Sequence, residues 1–183
     1  MTLKTGLLKT AISTAAAASI ATAATARNLD PAGDAETAKV ISVVSSIPLA
    51  VDLTAYDLAA KAFAPSIVID YTSVWGGEPS TMTPAQLMTS WRGLVPGFDG
   101  TWHQLSDVTA EVNGDTANAT AFVDGRHWIG DQLWRPIGTY AWKLAKKDGQ
   151  WRVTHMTFNM TQELGDRALT AQAMDRVKAK TAK

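Results

Sequence analysis

The chain has 183 residues, of which 46% are hydrophobic and 19% are charged, a composition typical of one globular domain with a substantial core. Its 17 Lys and Arg residues balance 17 Asp and Glu residues, and basic residues cluster nowhere except among the scattered lysines of the last turn. A nucleic-acid or anionic-membrane partner is therefore not expected. The absence of cysteine excludes disulfides, thiolate catalysis and cysteine-ligated metals.

The N-terminal 26 residues differ in composition from the rest of the chain. Lys4 and Lys9 precede a run rich in Ala, Thr and Ser, and residues 24–26 (ATA) have the small-x-small pattern that a signal peptidase reads. We expect residues 1–26 to be an export signal, which makes the mature protein periplasmic or secreted. The run is too short and too polar to remain as a membrane span. A transit peptide or a disordered N-terminus is the alternative, with an organellar or cytoplasmic location.

Helical spacing dominates residues 37–63, after a polar linker over residues 27–36. Apolar residues recur there mostly at helical intervals, which predicts one or two helices that break or kink near Pro48. Pro65 ends this helical region. The short β-branched run at residues 67–71 then predicts a strand.

Two further helices are predicted, one on each side of the strand-rich region. Residues 74–79 form a loop by their glycines and proline. Thr83 as N-cap and Pro84 at the first helical position begin a helix that ends at residues 96–97. Near the C-terminus, residues 166–180 form an Ala-rich helix whose last turn is basic, as suits a helix C-terminus.

The segment from Trp102 to Phe158 is typical of strands, with hairpin turns at Asn113-Gly114 and Asp148-Gly149. Helices followed by long antiparallel strands predict an α+β domain, a strongly curved antiparallel β-sheet wrapped over N-terminal helices as a cone-shaped α+β barrel. The concave side of such a sheet is a favourable place for a ligand site. The predicted organisation is an export signal (1–26), a linker (27–36), the cone domain (37–160) and a C-terminal helix (161–183).

The first hairpin positions two of the three histidines. If Asn113-Gly114 is a two-residue turn, His103 lies opposite Asp124. His127 shares the face of His103 only if one extra residue is inserted in the strand. Gly125 is where a β-bulge could supply it, because glycine tolerates the backbone angles of a bulge.

The second hairpin positions the third histidine. Pairing about Asp148-Gly149 places His155 opposite Trp142, beside Val153 and Leu144. These apolar neighbours predict a core or helix-facing histidine and argue against a catalytic role.

Five short motifs occur in a characteristic order and spacing. They are AVD (50–52), APSIVIDY (64–71), TWHQL (101–105), FVDGRH (122–127) and KDGQWRV (147–153). Together they resemble the nuclear-transport-factor-like cone superfamily, most closely its scytalone dehydratase and SnoaL-like polyketide cyclase branches, over roughly residues 37–160. The resemblance implies a curved antiparallel sheet wrapped over helices, with a pocket in the cone.

The resemblance to scytalone dehydratase also implies roles for particular residues. The implied catalytic positions are Asp52, Tyr71, His103 and His127. Val51 stands where that enzyme has a second tyrosine, and Gly138 and Tyr140 stand where it has a serine and an asparagine. These departures leave the substrate and the reaction open. The resemblance implies no cofactor and a homo-oligomer, a dimer or a trimer.

The residue types suit proton abstraction next to a carbonyl group. Asp52 can fix one ring nitrogen of His103 and leave the other to take a proton. His127 could return that proton or hold a departing hydroxyl, and Tyr71 could donate a hydrogen bond to the carbonyl oxygen as negative charge develops. The residues alone leave other interpretations open, with Asp52 as a helix cap and Tyr71 as an ordinary core residue.

Seven tryptophans are many for this length. The candidates for lining a pocket for a flat, hydroxylated ring system are Trp75, Trp91, Trp102, Trp128, Trp134 and Tyr140, although filling a core is the more common role of tryptophan. No metal site is expected, although two histidines and one carboxylate could mimic one. The outer sheet face, with Trp142 and Met156, is the predicted dimer or trimer surface.

The sequence thus predicts a cofactor-independent lyase (dehydratase) or isomerase/cyclase that acts on a small cyclic hydroxy-ketone or polyketide-like compound. The expected partners are this small molecule and further copies of the chain, with no nucleic acid and no membrane after signal removal. The alternative is a non-catalytic exported domain that binds a small molecule or serves in assembly. The distances among Asp52, His103 and His127 distinguish the two.

Overall fold

The computed structural model describes residues 31–182, so the predicted export signal lies outside the described residues. The helices are α1 (Pro31–Asp52), α2 (Tyr56–Ala60), α3 (Thr72–Trp75), α4 (Pro84–Arg92) and α5 (Ala168–Thr181), with a 3-10 turn at Val95–Gly97. The strands are β1 (Phe63–Asp70), β2 (Ser80–Met82), β3 (Gly100–Asn113), β4 (Thr116–Ile129), β5 (Gln132–Lys147) and β6 (Gln150–Gly165). Within residues 31–182, no helix combines the length and apolar character that crossing a membrane requires.

The strands form one six-stranded sheet in the order β2-β1-β6-β5-β4-β3. All neighbouring pairs are antiparallel except β1 and β6, which are parallel. Buried residues alternate with exposed ones along β4 and β5, and the buried face packs against the apolar face of α1. The predicted α+β class, a curved sheet over the N-terminal helices, is confirmed.

Helix α1 is longer and more continuous than predicted. It begins at Pro31, so residues 31–36 are helical and the predicted linker over 27–36 is wrong for this part. Pro48 lies inside the helix without ending it. As a result α1 ends at Asp52, whose carboxylate lies at the helix terminus.

Strand β1 begins at Phe63 and includes Pro65, which was predicted only to end a helix. The pairing of β1 with β6 shifts register between Phe63 and Val68, so the proline lies where the ladder is irregular and its missing N–H matters least. The first two residues of the predicted loop at 74–79 belong to helix α3, which ends at Trp75. The loop itself follows with Gly76 and Gly77, both of which have positive φ.

The start of α4 is confirmed down to its capping contacts. The Thr83 hydroxyl accepts a hydrogen bond from the Gln86 backbone N–H, and the Gln86 side chain accepts one from the Thr83 N–H. Such reciprocal bonds satisfy two N–H groups that have no partner inside the helix. The helix ends at Arg92, earlier than predicted, and Val95–Gly97 form a separate 3-10 turn.

The β3–β4 hairpin corrects the predicted register. Asn113 pairs with Thr116, so the two turn residues are Gly114 and Asp115 rather than Asn113 and Gly114. A register shift follows between Ser106 and Thr109, where Asp107 has a φ of 51°. The bulge thus lies in β3 and not at Gly125.

This register places His103 opposite Gly125 and not opposite Asp124. His127 lies two residues beyond Gly125 and faces the same side, since side chains alternate along a strand. The predicted shared face of the two histidines is therefore correct, although the bulge that produces it is elsewhere.

The β5–β6 hairpin has the predicted turn, with Lys147 paired to Gln150, but a register shift at Lys143/Leu144 changes the pairing beyond it. His155 pairs with Lys143 and is exposed, so its predicted position opposite Trp142 in the core is wrong. Trp142 pairs with Met156, and both are 2% exposed on the concave side. The predicted oligomer surface at these two residues is therefore also wrong.

The C-terminal region divides between a strand and a helix. Residues 161–165 belong to β6, so the predicted C-terminal helix over 161–183 begins only at Ala168. Helix α5 packs against the 3-10 turn, where the backbone of Ala173 approaches Gly97 closely. Helix α5 also contacts strands β4 and β5.

Candidate active site

The Asp52 carboxylate and the His103 imidazole are in direct contact. His103 Nδ1 lies 2.7 Å from Asp52 Oδ1, and the His103 backbone N–H donates to Asp52 Oδ2 at 2.7 Å. The Thr101 hydroxyl donates to Asp52 Oδ1, also at 2.7 Å. The two side chains are 13% and 14% exposed. The end of α1 and the start of β3 thus hold the carboxylate from three directions.

This geometry determines the tautomer of His103. An ionised carboxylate only accepts hydrogen bonds, so Nδ1 carries the proton that faces Asp52 and Nε2 of the neutral ring has a free lone pair. Burial by itself raises the pKa of Asp52, but the hydrogen bonds from His103 and Thr101 outweigh it and hold that pKa below its usual value. The carboxylate is therefore ionised at neutral pH.

His127 lies next to this pair on strand β4. Its ring centroid is 5.0 Å from that of His103, with the ring planes at 86°, and Trp134 and Phe98 lie against its other sides. Burial, followed by the neighbouring His103, lowers the pKa of His127 to about 3. His127 is therefore neutral at physiological pH, and its Nδ1 has no hydrogen-bond partner among residues 31–182.

A cavity of about 470 Å³ opens on the concave side of the sheet. Its wall is mainly apolar and combines side chains of α1, β5 and the 3-10 turn with Met174 of α5. Among the predicted site positions on the wall, His127 carries an imidazole, and Tyr71 and Tyr140 carry hydroxyl groups.

Asp52 and His103 are not themselves part of the cavity wall. Val51, which precedes Asp52, and His127, which contacts the His103 ring, are on the wall. The pair thus lies directly behind it. The structure brings the four predicted catalytic residues into one region but gives only Tyr71 and His127 direct contact with the cavity.

The two tyrosine hydroxyls on the wall are protonated over the physiological range. Burial, together with the neighbouring Tyr140, raises the pKa of Tyr71 well above its usual value. Burial also raises the pKa of Tyr140, and the negative charge of Asp52 adds to this effect. Both hydroxyls can therefore donate hydrogen bonds to an oxygen atom in the cavity.

Of the six aromatic residues predicted to line a pocket, four lie on the cavity wall. Trp75, Trp91, Trp134 and Tyr140 line the cavity. Trp102 and Trp128 do not: each follows an inward-facing residue of its strand, and Trp102 is 58% exposed. Because neighbouring residues of a strand face opposite sides, a tryptophan next to an inward-facing histidine must point outward.

The sequence prediction missed several residues of the wall, above all Trp142 and Met156, together with Phe158 of β6. Inward-facing positions alternate along β5 through Tyr140 and Trp142, so the pattern was present in the sequence. Assigning it required the register of the β5–β6 hairpin, which the bulge near Lys143 changes.

Asp124 faces the other side of the sheet and is not part of the site. Arg126 donates to it at 2.6 Å, and Arg135 donates to both of its oxygens at 2.7 Å. The bond from Arg135 is the largest effect that lowers the pKa of Asp124, to about 2. Asp124, which a simple two-residue turn would place opposite His103, therefore belongs to a separate ion-pair cluster.

No group of three or more His, Asp or Glu residues suited to a metal ion occurs within residues 31–182.

Residues 35–157 match the family model of the SnoaL-like domain. Among curated protein sequences, none is significantly similar to the chain.

Solved structures share the fold at low sequence identity. The Kfla4162 protein of Kribbella flavida superposes with a TM-score of 0.67 at 22% identity, over 74% of this chain and 95% of that one. A candidate scytalone dehydratase of Novosphingobium aromaticivorans gives 0.65 at 17% identity, over 76% and 93%. Hexachlorocyclohexane dehydrochlorinase LinA-type3 of Novosphingobium barchaimii gives 0.65 at 17% identity, over 76% and 95%. These similarities establish a common fold.

Proposed function

Because this chain belongs to the SnoaL-like domain family, we propose that it is a cofactor-independent lyase or isomerase that removes a proton from a carbon next to a carbonyl group. The observation that carries the proposal is the 2.7 Å contact between Asp52 and His103 directly behind the wall of an apolar cavity. A carboxylate-supported imidazole is a general base suited to neutral pH.

His103 is the base in this proposal. Its Nε2 lone pair takes the proton from carbon, while Nδ1–H remains on Asp52. The imidazolium that forms is stabilised by the ionised carboxylate, which also holds the ring in one orientation. Since His103 lies behind the wall, the reacting carbon must approach beside His127, the wall residue whose ring contacts that of His103.

Tyr71 and Tyr140 stabilise the negative charge that develops on the carbonyl oxygen. Both hydroxyls are protonated and belong to residues on the wall, so they can donate to an oxygen without a change of protonation state. Donors of this kind typically contribute about 10² to 10³ in rate.

The second half of the reaction distinguishes a lyase from an isomerase. In a dehydration, the electron pair of the broken C–H bond forms a C=C bond, the C–O bond breaks, and the hydroxide leaves as water with the proton from His103. In an isomerisation, His103 returns the proton to another carbon of the same molecule. Neutral His127 can hold the departing hydroxyl by a hydrogen bond. One structural neighbour is named a dehydrochlorinase, a name that denotes an elimination in which the leaving group is chloride instead of hydroxide.

The test uses a panel of one- and two-ring cyclic β-hydroxy-ketones. Dehydration is followed by the ultraviolet absorbance of the conjugated product, and proton abstraction by deuterium incorporation next to the carbonyl in D₂O. His103→Gln and Asp52→Asn are expected to lower both rates by about 10² to 10⁴. His155→Gln is the matched control, because His155 is exposed and outside the site. Full activity in His103→Gln would refute the assignment of the base.

A second candidate is a non-catalytic carrier for an apolar small molecule. It is favoured by one observation, the absence of Asp52 and His103 from the wall itself. A carrier would be stabilised against heat by members of the same panel and would show neither dehydration nor deuterium incorporation. In that case His103→Gln would leave ligand binding unchanged.

A further inference from the structure

We propose that Gly125 is a positioning residue for the base. Its missing side chain leaves the space in which the His103 ring lies across strand β4, with Nδ1 on Asp52 and Nε2 free. The inference rests on the proposed function, in which His103 takes the proton.

The register of the sheet places Gly125 directly opposite His103. Directly opposed residues of an antiparallel pair have Cβ atoms only about 4.5 to 5.5 Å apart, so any side chain at this position meets the imidazole first. Gly125 is also buried. A side chain there could not turn away into solvent.

The available space confirms this crowding. A Cβ atom on Gly125 would lie 3.2 Å from Cδ2 and 3.5 Å from Nε2 of His103, and 3.3 Å from the carbonyl oxygen of Pro136. The shortest of these distances are below ordinary van der Waals contact. The added atom would therefore press on the edge of the ring that carries the free nitrogen.

Backbone conformation does not account for a glycine here. Gly114 and Gly130, in the turns at either end of β4, have φ angles of 58° and 56°, whereas Gly125 lies within a paired strand and has no such positive φ. The requirement at Gly125 is for space rather than for an unusual backbone angle. An alanine can adopt this strand conformation, so we expect it to displace the ring rather than the strand.

The displacement affects chemistry more than binding. His103 is anchored to Asp52 on its far side and does not line the cavity, so a tilt of the ring moves Nε2 directly and reaches the ligand surface only through the neighbouring His127 and Pro136. A misplacement of a catalytic group by a fraction of an ångström is enough to slow a proton transfer.

The first experiment compares Gly125→Ala with Gly100→Ala. Gly100 is the matched control, a glycine of the same hairpin whose added Cβ would lie 3.7 Å from Trp128, an ordinary contact. Gly125→Ala is expected to lower kcat about 10- to 100-fold with KM changed by no more than about twofold. The pH profile of kcat/KM and the NMR signal of the His103 Nδ1–H should also change in this variant, and Gly100→Ala should match the wild type in each measurement. Wild-type kcat and an unchanged signal in folded Gly125→Ala would overturn the proposal.

The second experiment does not depend on activity. Unfolding free energies are measured for Gly125→Ala, His103→Ala and the double variant. If the added methyl group presses on the imidazole, truncating His103 relieves the strain, and Gly125→Ala costs less in the His103→Ala background. Two results would place the clash at Pro136 and refute the proposal. One is that Gly125→Ala lowers the unfolding free energy equally with His103 and with Ala at position 103. The other is that Gly125→Ala prevents folding in both backgrounds. Because this cycle needs no substrate, it tests the contact between position 125 and His103 even if the protein shows no lyase activity.

Discussion

At the scale of single residues, the carboxylate of Asp52 is the centre of the site. It accepts hydrogen bonds from the His103 ring, the His103 backbone and the Thr101 hydroxyl, each at 2.7 Å. Thr101 and His103 are two residues apart on β3 and therefore face the same side. Thr101 thus helps to hold the oxygen that accepts the hydrogen bond from His103 Nδ1, although Thr101 is not itself part of the cavity wall.

Replacing Thr101 by valine removes this hydrogen bond and keeps the shape of the side chain. Because the pKa of Asp52 in the folded protein lies below its ordinary value, Asp52 stabilises the fold at neutral pH, and this stabilisation is lost as the pH falls through the folded pKa. Thr101→Val weakens one cause of the lowered pKa. We expect it to cost about 1 to 2 kcal/mol of unfolding free energy at pH 7 and less near pH 3.

Denaturant unfolding at the two pH values checks this prediction. Thr109→Val is a suitable control, since the Thr109 hydroxyl bonds only the exposed Thr120 hydroxyl on the same hairpin. A cost for Thr101→Val that is equal at both pH values would show that the hydroxyl does not act through the Asp52 charge.

At the scale of elements, helix α5 docks on the 3-10 turn through an unusually close backbone contact. A Cβ atom on Gly97 would lie 2.0 Å from the carbonyl oxygen of Ala173, so only glycine fits between the 3-10 turn and the helix. Arg176 pairs with Asp99 beside this contact. Since Met174 of the same helix lines the cavity, the docking of α5 helps to shape the ligand site.

Gly97→Ala is accordingly expected to push α5 away from the 3-10 turn. Overpacking of this kind costs about 1 to 3 kcal/mol, and the displaced helix should weaken binding of any ligand that contacts Met174. Denaturant unfolding and ligand-induced thermal shift measure the two effects. Gly100→Ala again serves as control. A Gly97→Ala protein as stable as this control would show that α5 is not held by the contact.

At the scale of the whole molecule, the cavity is electrically neutral. None of the described residues on its wall is a lysine, arginine, aspartate or glutamate, and His127 is uncharged because burial lowers its pKa to about 3. Behind the wall, the carboxylate of Asp52 is negative, and Arg167, which donates to the Val74 carbonyl, is paired with the carboxylate of Glu163. An anionic ligand would lose its hydration without gaining a cationic partner.

The protein should therefore prefer neutral ligands to anionic ones of the same shape. We expect 2-tetralone to bind at least about tenfold more tightly at pH 8 than tetralin-2-carboxylate. A tenfold difference in Kd corresponds to only about 1.4 kcal/mol, which the uncompensated loss of hydration of the carboxylate should exceed. The affinity for the carboxylate should rise as the pH falls toward the pKa of its acid form, about tenfold per pH unit. Isothermal titration calorimetry between pH 5 and pH 8 measures both. Equal affinities at pH 8 would reveal a cationic group that the ligand reaches.

The outer face of the sheet is the other whole-molecule feature. Trp102 and Phe122 are 58% and 40% exposed there, on strands β3 and β4. The homo-oligomer expected from the family resemblance stays a prediction. If it forms through the sheet, these residues belong to the surface rather than Trp142 and Met156, which are buried inside.

Local chemistry was sufficient to predict much of this protein from its sequence. The Thr83-Pro84 helix start, the glycine-containing turns and the alternation along the long strands are short-range features, and each depends on residues within a few positions of one another. The order of the five motifs predicted the cone fold, and with it the meeting of Asp52 with His103.

The tertiary structure decided what depends on long-range packing and on single-residue shifts. Asp52 and His103 are 51 positions apart, and only the docking of α1 on β3 brings them to 2.7 Å. One bulge near Asp107 changed the partner of His103, and another near Lys143 turned His155 outward and left Trp142 inside. A shift of one residue reverses the face of every side chain beyond it, and nothing local in the sequence specifies that shift.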